Sequence, residues 1–236
     1  MLKEFVQYLL DLKRPETIEA SGKIYSTNQL YRLDKEQPVG EINVRSLSGL
    51  VDYVKSNFDH ERSLMIHVKS PTEVNVFDSL NDVNDRRTYI KAGALLPSIT
   101  FEQFIDREKF QIMLQACFVQ NEHKLTVLKV ISSIVEDSAV TTIDDGLSQR
   151  VTAKTGVATV ENINIPNPVT LKPFRTFAEV SQPESEFVLR LKEGGRVGLF
   201  EADGGAWELN AMANIAEYLS NELSEEIEAK KVYIID

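Results

Sequence analysis

The sequence predicts an α+β fold, mostly antiparallel sheet with helices packed on one side or at the ends. Helical and strand-like periodicities come in blocks and do not alternate as β-α-β units. The second half of the chain, from residue 139, is β-branched and punctuated by turn residues. With 42% hydrophobic and 26% charged side chains, 236 residues hold enough apolar material for one substantial core or two modest ones.

At the N-terminus Leu2, Phe5, Val6, Leu9 and Leu10 recur as one helical face, and Pro15 closes the segment. Residues 17–20 and 23–26 flank Ser21-Gly22, a tight hairpin turn. After a loop through Gln37-Pro38, residues 41–45 form a strand. Ser46 then caps a helix carrying Leu47, Leu50, Val51 and Val54, which stops at Asn57. Residues 64–68, 74–77 and 88–94 read as an antiparallel meander. Thr100 and Gln103 make a capping box for a helix through Phe101, Phe104, Ile105, Ile112, Met113 and Ala116. A second helix follows through Leu125, Val127, Leu128, Ile131, Ile134 and Val135.

Beyond Glu136-Asp137 the period falls from about 3.6 to about 2. AVTTI, QRVTAKT, VATVENINI, VTLKPF, EFVLRLK and RVGLFEA read as strands, with a turn at Asp144-Asp145-Gly146. A two-residue loop at Gly194-Gly195 places Phe187, Leu189, Leu191 and Phe200 on one face. Arg190, Lys192 and Glu201 take the other, with Arg190 and Glu201 close enough for a cross-strand ion pair. Asp203 caps a last helix bearing Met212, Ile215, Leu219 and Leu223, and VYIID ends the chain as an edge strand. The organisation is thus an N-terminal helix and hairpin (1–40), a mixed lobe (41–137) and a β-rich lobe with a C-terminal helix (138–236). The last two are separate lobes or one continuous domain.

Composition narrows the function classes. Asp and Glu number 36 against 26 Lys and Arg, giving a net charge of -10 and a pI near 4.9. Long-range repulsion therefore disfavours generic nucleic-acid binding unless one face is locally basic. Cys117 stands alone, which rules out an intrachain disulfide or a thiolate metal cluster. His60, His67 and His123 lack zinc spacing, and SLNDVND lacks the glycine and terminal glutamate of a calcium loop, so no metal is expected. No run approaches the roughly 18 apolar residues of a spanning helix and no signal segment is read at the start, so the expected location is the cytoplasm.

Short motifs carry little. Lys154-Thr155-Gly156 matches a β-lactamase strand motif, but no Ser-x-x-Lys accompanies it, and a strand ending in a turn glycine explains it. Asp203-Gly204-Gly205 precedes a helix without the Gly-Lys-Ser/Thr of a phosphate loop. No catalytic residue and no cofactor is assigned. Glu179, Glu184 and Glu201 keep an enzyme open only if two of them converge in space.

The remaining candidate is the polar, glycine-punctuated block 144–205. Arg150, Lys154, Arg175 and Arg190 would supply charge to an anionic ligand, Phe177 or Trp207 a stacking surface, and Gln182 and Ser185 hydrogen bonds. The competing reading is a long ordered loop pinned to the core by Phe174, Phe177 and Phe187, with its charges paired locally.

From about residue 41 to 223 the sequence resembles a group of phage and prophage proteins similar in organisation to the YfdQ-like domain-of-unknown-function family. The resemblance rests on INVRSLSGLVDYVKS, TYIKAGALLP followed by FEQFIDREKF, LKVISSIVED leading into TTIDDGLSQRVTAKTGVATV, and IPNPVTLKPFRTF leading into ESEFVLRL. It implies a phage accessory protein acting inside a bacterial cell and brings no catalytic residues to carry over. With it, the first expectation is a non-enzymatic protein that sequesters a small nucleotide-type ligand of host defence signalling. The alternatives are an accessory protein of phage DNA replication or recombination that binds single strands or a partner, and a structural homo-oligomer whose polar block is a subunit interface. A homo-oligomer fits the many short strands, whose open edges self-association would cover.

Overall fold

The computed structural model describes residues 2–11, 16–27, 40–59, 63–81, 84–133, 142–144, 149–155, 159–164 and 167–236. They fall into two compact units, Met1–Val39 and Gly40–Asp236. The expected break near residue 137 lies outside the described residues.

In the first unit, helix α1 (Leu2–Asp11) precedes a hairpin of β1 (Thr17–Ala20) and β2 (Lys23–Ser26). Ser21 and Gly22 have φ of 55° and 73°, the consecutive left-handed pair whose twist matches that of the flanking strands.

The second unit opens with β3 (Ile42–Val44), α2 (Leu47–Ser56), β4 (Leu64–Ser70), β5 (Glu73–Asp78) and β6 (Thr88–Gly93). There follow β7 (Phe104–Ile105), α3 (Arg107–Cys117), α4 (Glu122–Ser133), β8 (Thr142–Asp144), β9 (Gln149–Thr155) and β10 (Thr159–Asn164). The chain finishes with β11 (Val169–Leu171), β12 (Ser185–Lys192), β13 (Arg196–Glu201), α5 (Ala206–Glu222), α6 (Ser224–Glu228) and β14 (Val232–Ile235). The architecture is α+β.

A five-stranded sheet runs β14-β4-β5-β6-β3. Its centre is the antiparallel meander, while β3 joins β6 and β14 joins β4 in parallel, which makes VYII an edge strand. Alternation along the strands sorts the side chains. Leu64, Ile66, Val68, Val74, Val76, Ile90 and Ala92 are buried against α2 and α5, where Leu50, Val54, Ile215 and Leu219 complete a core. Met65, His67, Asn75, Phe77 and Lys91 point to the other face and stay partly accessible.

A four-stranded antiparallel sheet, β11-β12-β13-β7, backs a second core with α3 and α4, centred on Phe110, Leu114, Val127, Ile131, Phe187, Leu189 and Leu199. A third sheet, β10-β9-β8, is also antiparallel.

Three local expectations are corrected. The helix after residue 100 does not start at Thr100. Glu102 has φ of 60°, residues 104–105 pair as a strand with β13, and α3 begins after Asp106, whose carboxylate accepts from the Glu108 and Lys109 N–H groups at 2.8 and 3.3 Å. A better cap lay six residues further on, at Asp106. Asp203 does not cap α5 in the ordinary way. Gly205 holds that position with φ of 83°, while Asp203 accepts from the Gly205 N–H at 3.1 Å. The third correction is register. The β12-β13 loop has three residues, Glu193–Gly195, so Lys192 faces Arg196, Arg190 faces Gly198 and Phe187 faces Glu201. One residue of slip moves every side chain of β13 to the opposite face. Phe200 therefore leaves the core face and packs on Phe104, Leu199 and Val197 take its place, and Glu201 joins Phe187. The Arg190–Glu201 pair does not form.

Candidate functional site

The segment 173–185 decides where most of the sequence-selected residues go, because it runs between the two cores. Gln182 holds its bend. The amide oxygen accepts from the Arg175 and Thr176 N–H groups at 2.9 and 3.2 Å, and the amide nitrogen donates to the Phe177 and Val180 carbonyls at 2.9 and 3.3 Å. Phe177 and Val180 then enter the core of the five-stranded sheet, Phe177 with 1% exposure. Its ring belongs to that core and offers no accessible stacking face. Thr176 donates to the Pro71 carbonyl at 2.5 Å, fastening the segment to the turn between β4 and β5.

Arg175 turns the other way, with 6% exposure. Its guanidinium donates to the Glu201 carboxylate and to the Ser185 hydroxyl, which itself donates to Asp203 at 2.7 Å. It lies over the Trp207 ring at 3.8 Å from the centroid, and near Phe187 and Phe101 at 5.5 and 5.9 Å. Burial pushes the guanidinium below its ordinary pKa, and the charges of Glu201 and Asp203 oppose that shift. Arg175 Nε is buried without a hydrogen-bond partner. The junction joins β12, β13 and the first turn of α5, and its positive charge is already matched.

Of the eight selected residues, the structure brings Arg175, Ser185 and Trp207 together, with Gln182 shaping the approach. Phe177 points away from them. Arg190 sits on the opposite face of β12, its Nη1 buried and without a hydrogen-bond partner. Arg150 and Lys154 lie on β9, opposite Asn164 and Val160 of β10, and their side chains fall outside the described residues. The three carboxylates named as conditional catalysts separate. Glu179 accepts from the Leu47 and Ser48 N–H groups at 2.9 and 3.4 Å, filling the N-terminus of α2. Glu184 pairs with Lys172 at 3.1 Å, and Glu201 pairs with Arg175. No group of three or more potential metal ligands converges among the described residues. No helix among them is long and apolar enough to cross a membrane.

An open cleft of 310 Å³ lies elsewhere, at the β3 end of the five-stranded sheet, lined chiefly by Glu41, Asn43, Arg45, Thr72, Glu73 and Lys91. The parallel pairing of β3 with β6 sets Asn43 beside Lys91, and the β5-β6 register sets Glu73 beside Gly93. Lys91 pairs with Glu41 at 2.7 Å, and Lys69 with Glu73 at 2.9 Å; all four side chains are a third or more exposed. The Lys69 and Asn75 hydrogen bonds hold the Glu73 carboxyl below its usual range. The Arg45 guanidinium lies close over Gly93, where an added methyl would meet Nη1 at 3.4 Å. Sequence reasoning passed over these residues because they are spread over some fifty positions. The one available signal was the polar residue at every second position of the meander strands.

The chain matches no family model, no curated protein and no solved structure. The functional reading therefore rests on this geometry.

Proposed function

We propose that the chain is a phage-encoded, non-enzymatic binding protein that sequesters a small charged ligand of nucleotide type in the bacterial cytoplasm. The observation that carries the proposal is the cleft, where Arg45 and Lys91 stand beside the hydrogen-bonding side chains of Asn43 and Thr72 in an open concavity of 310 Å³. That volume lies at the small end of ligand pockets, roughly 300–1,000 Å³. The commitment of Glu179, Glu184 and Glu201 to separate ion pairs and a helix terminus favours binding over acid-base chemistry. Self-association is part of the proposal, since β3 and β14 form the edges of the five-stranded sheet.

Native mass spectrometry of the chain purified from bacteria, with and without added nucleotides, tests both parts. A discrete added mass that disappears in Arg45→Ala supports sequestration at the cleft. A bare protein across the whole panel removes it.

One observation favours a second reading, as an accessory protein that binds single-stranded DNA. The open face of the same sheet carries Phe77, with Arg86 5.1 Å from its ring centroid and His67 edge-on at 6.4 Å, and Tyr233 half exposed on the neighbouring edge strand. Bases stack on such surfaces. Single-strand binding that weakens steeply with salt would transfer the assignment to this face.

A further inference from the structure

We infer that the N-terminal unit, Met1–Val39, is a self-association module, in which α1 and the β1-β2 hairpin bury their apolar side chains against the same unit of a second copy. This surface is separate from the sheet edges proposed for self-association, and it is independent of the ligand.

The unit has the secondary structure of a folded element without an interior to match. Every side chain from 3 to 8 and from 16 to 27 is exposed. They include Phe5 at 59%, Tyr8 at 61%, Ile24 at 76% and Tyr25 at 53%. A ten-residue helix falls short of the roughly 12–15 residues that an isolated helix needs in water, and a lone two-stranded hairpin is marginal as well. Ile18 stands directly opposite Tyr25, so one hairpin face carries an aliphatic-aromatic pair across its two strands. Both elements need a surface to pack on.

Composition narrows what that surface is. Units below about 40 residues usually reach stability through disulfides, a metal or oligomerisation. Residues 1–39 contain neither Cys nor His, which removes a disulfide and the ordinary zinc sites and leaves association as the route. Charge then selects the partner. Residues 1–39 carry six Lys and Arg against six Asp and Glu, so the whole net charge of -10 belongs to residues 40–236. A neutral, apolar unit has no field to draw in a nucleic acid, an anionic membrane or a strongly charged protein. A second copy presents the same neutral surface, which is what an isologous contact requires. The acidic remainders of two copies repel each other, and the copies meet through the one part of the chain that adds nothing to that repulsion.

Sedimentation velocity of the full chain over a range of concentrations and salt, comparing the parent with the double variant Phe5→Lys, Ile18→Lys, tests this. Lysine keeps the helix propensity at position 5 and lowers the net acidic charge, so weaker association cannot come from added repulsion. The parent should form a dimer that tightens as salt screens the acidic remainders. The double variant should weaken that dimer by about a hundredfold, because each substitution counts twice in a symmetric contact. Amide hydrogen exchange gives a second readout: protection of residues 2–11 and 17–26 should rise with parent concentration and be lost in the variant. Both substituted side chains are exposed, and an unchanged unfolding midpoint by Trp207 fluorescence confirms that the rest of the chain stays folded. A dimer that survives the substitutions would overturn the inference and leave association to the sheet edges. A parent that stays monomeric would overturn both surfaces together. Protection independent of concentration would mean that the unit folds unaided, and capture of a monomeric parent by phosphatidylcholine vesicles would give α1 to a membrane surface; either result overturns the inference.

Discussion

Replacing Arg175 with methionine should destabilise the protein by about 3–4 kcal/mol, even though the position was selected from sequence as a ligand contact. Removing one partner of a buried ion pair costs about 3–5 kcal/mol, because the other charge is left without its counterion. Glu201 is 34% exposed, so water recovers part of its solvation and the lower part of that range applies. Loss of the stacking on Trp207, at 3.8 Å, adds about 1 kcal/mol. Ser185 keeps Asp203 as a partner at 2.7 Å and contributes little to the loss. For a chain of this size the melting temperature should fall by roughly 6–16 °C. Urea unfolding followed by Trp207 fluorescence, the chain having a single tryptophan, reads the change at the junction itself. Glu201→Gln should cost less, and the double variant should fall short of the sum by a coupling of about 0.5–3 kcal/mol. A midpoint for Arg175→Met within about 0.5 kcal/mol of the parent, the range of an ordinary surface substitution, would refute the claim that this arginine ties β12 and β13 to the first turn of α5.

Four further outcomes are expected. Glu179→Ala should lower stability by about 1 kcal/mol through loss of the α2 N-terminal contacts at Leu47 and Ser48, a loss that Glu179→Gln partly restores in urea unfolding. Gly198→Ala should destabilise by about 1–3 kcal/mol, because its Cβ would meet the Phe200 ring at 2.9 Å and the Phe104 ring at 3.1 Å; shrinking Phe200 to leucine should relieve it. Lys124→Ala should cost about 1–3 kcal/mol, since the buried ammonium donates to the Gln115 and Phe118 carbonyls at 3.1 and 2.6 Å and its loss leaves both acceptors without that partner. Tyr53 is pushed up to about 12 by burial and by its hydrogen bond to Asp59. The folded state thus retains a proton that the unfolded chain loses near pH 10, and stability should fall as pH rises from 10 towards 12. Tyr53→Phe should flatten that alkaline slope in thermal melts, and an unchanged slope would discount the shift.

Much of the local structure was legible because it depends on neighbours in sequence. The α1 helix, the α2 stripe, the Ser46 cap, the Asn57 stop, the Ser21-Gly22 turn and the three meander strands all follow from periodicity and local hydrogen bonding. So does the α+β class, since blocks of one period cannot form alternating units. What the sequence could not settle were choices between nearly equal local options. Asp106 competed with Thr100 as a cap, and a three-residue loop at Glu193–Gly195 competed with a two-residue one. The second choice reversed the faces of β13 and brought Glu201 to Arg175.

The candidate cleft was out of reach for a different reason. Arg45, Glu73 and Lys91 become neighbours only when β3 adds in parallel to β6 and the meander closes beside it, and no short spacing records a parallel pairing across so many residues. The sequence by itself determined the elements and their class, because backbone propensity and side-chain period act over a few residues. Tertiary structure alone decided which charges meet, because a buried arginine must find its carboxylate, and a strand its register, through contacts between segments far apart in the chain.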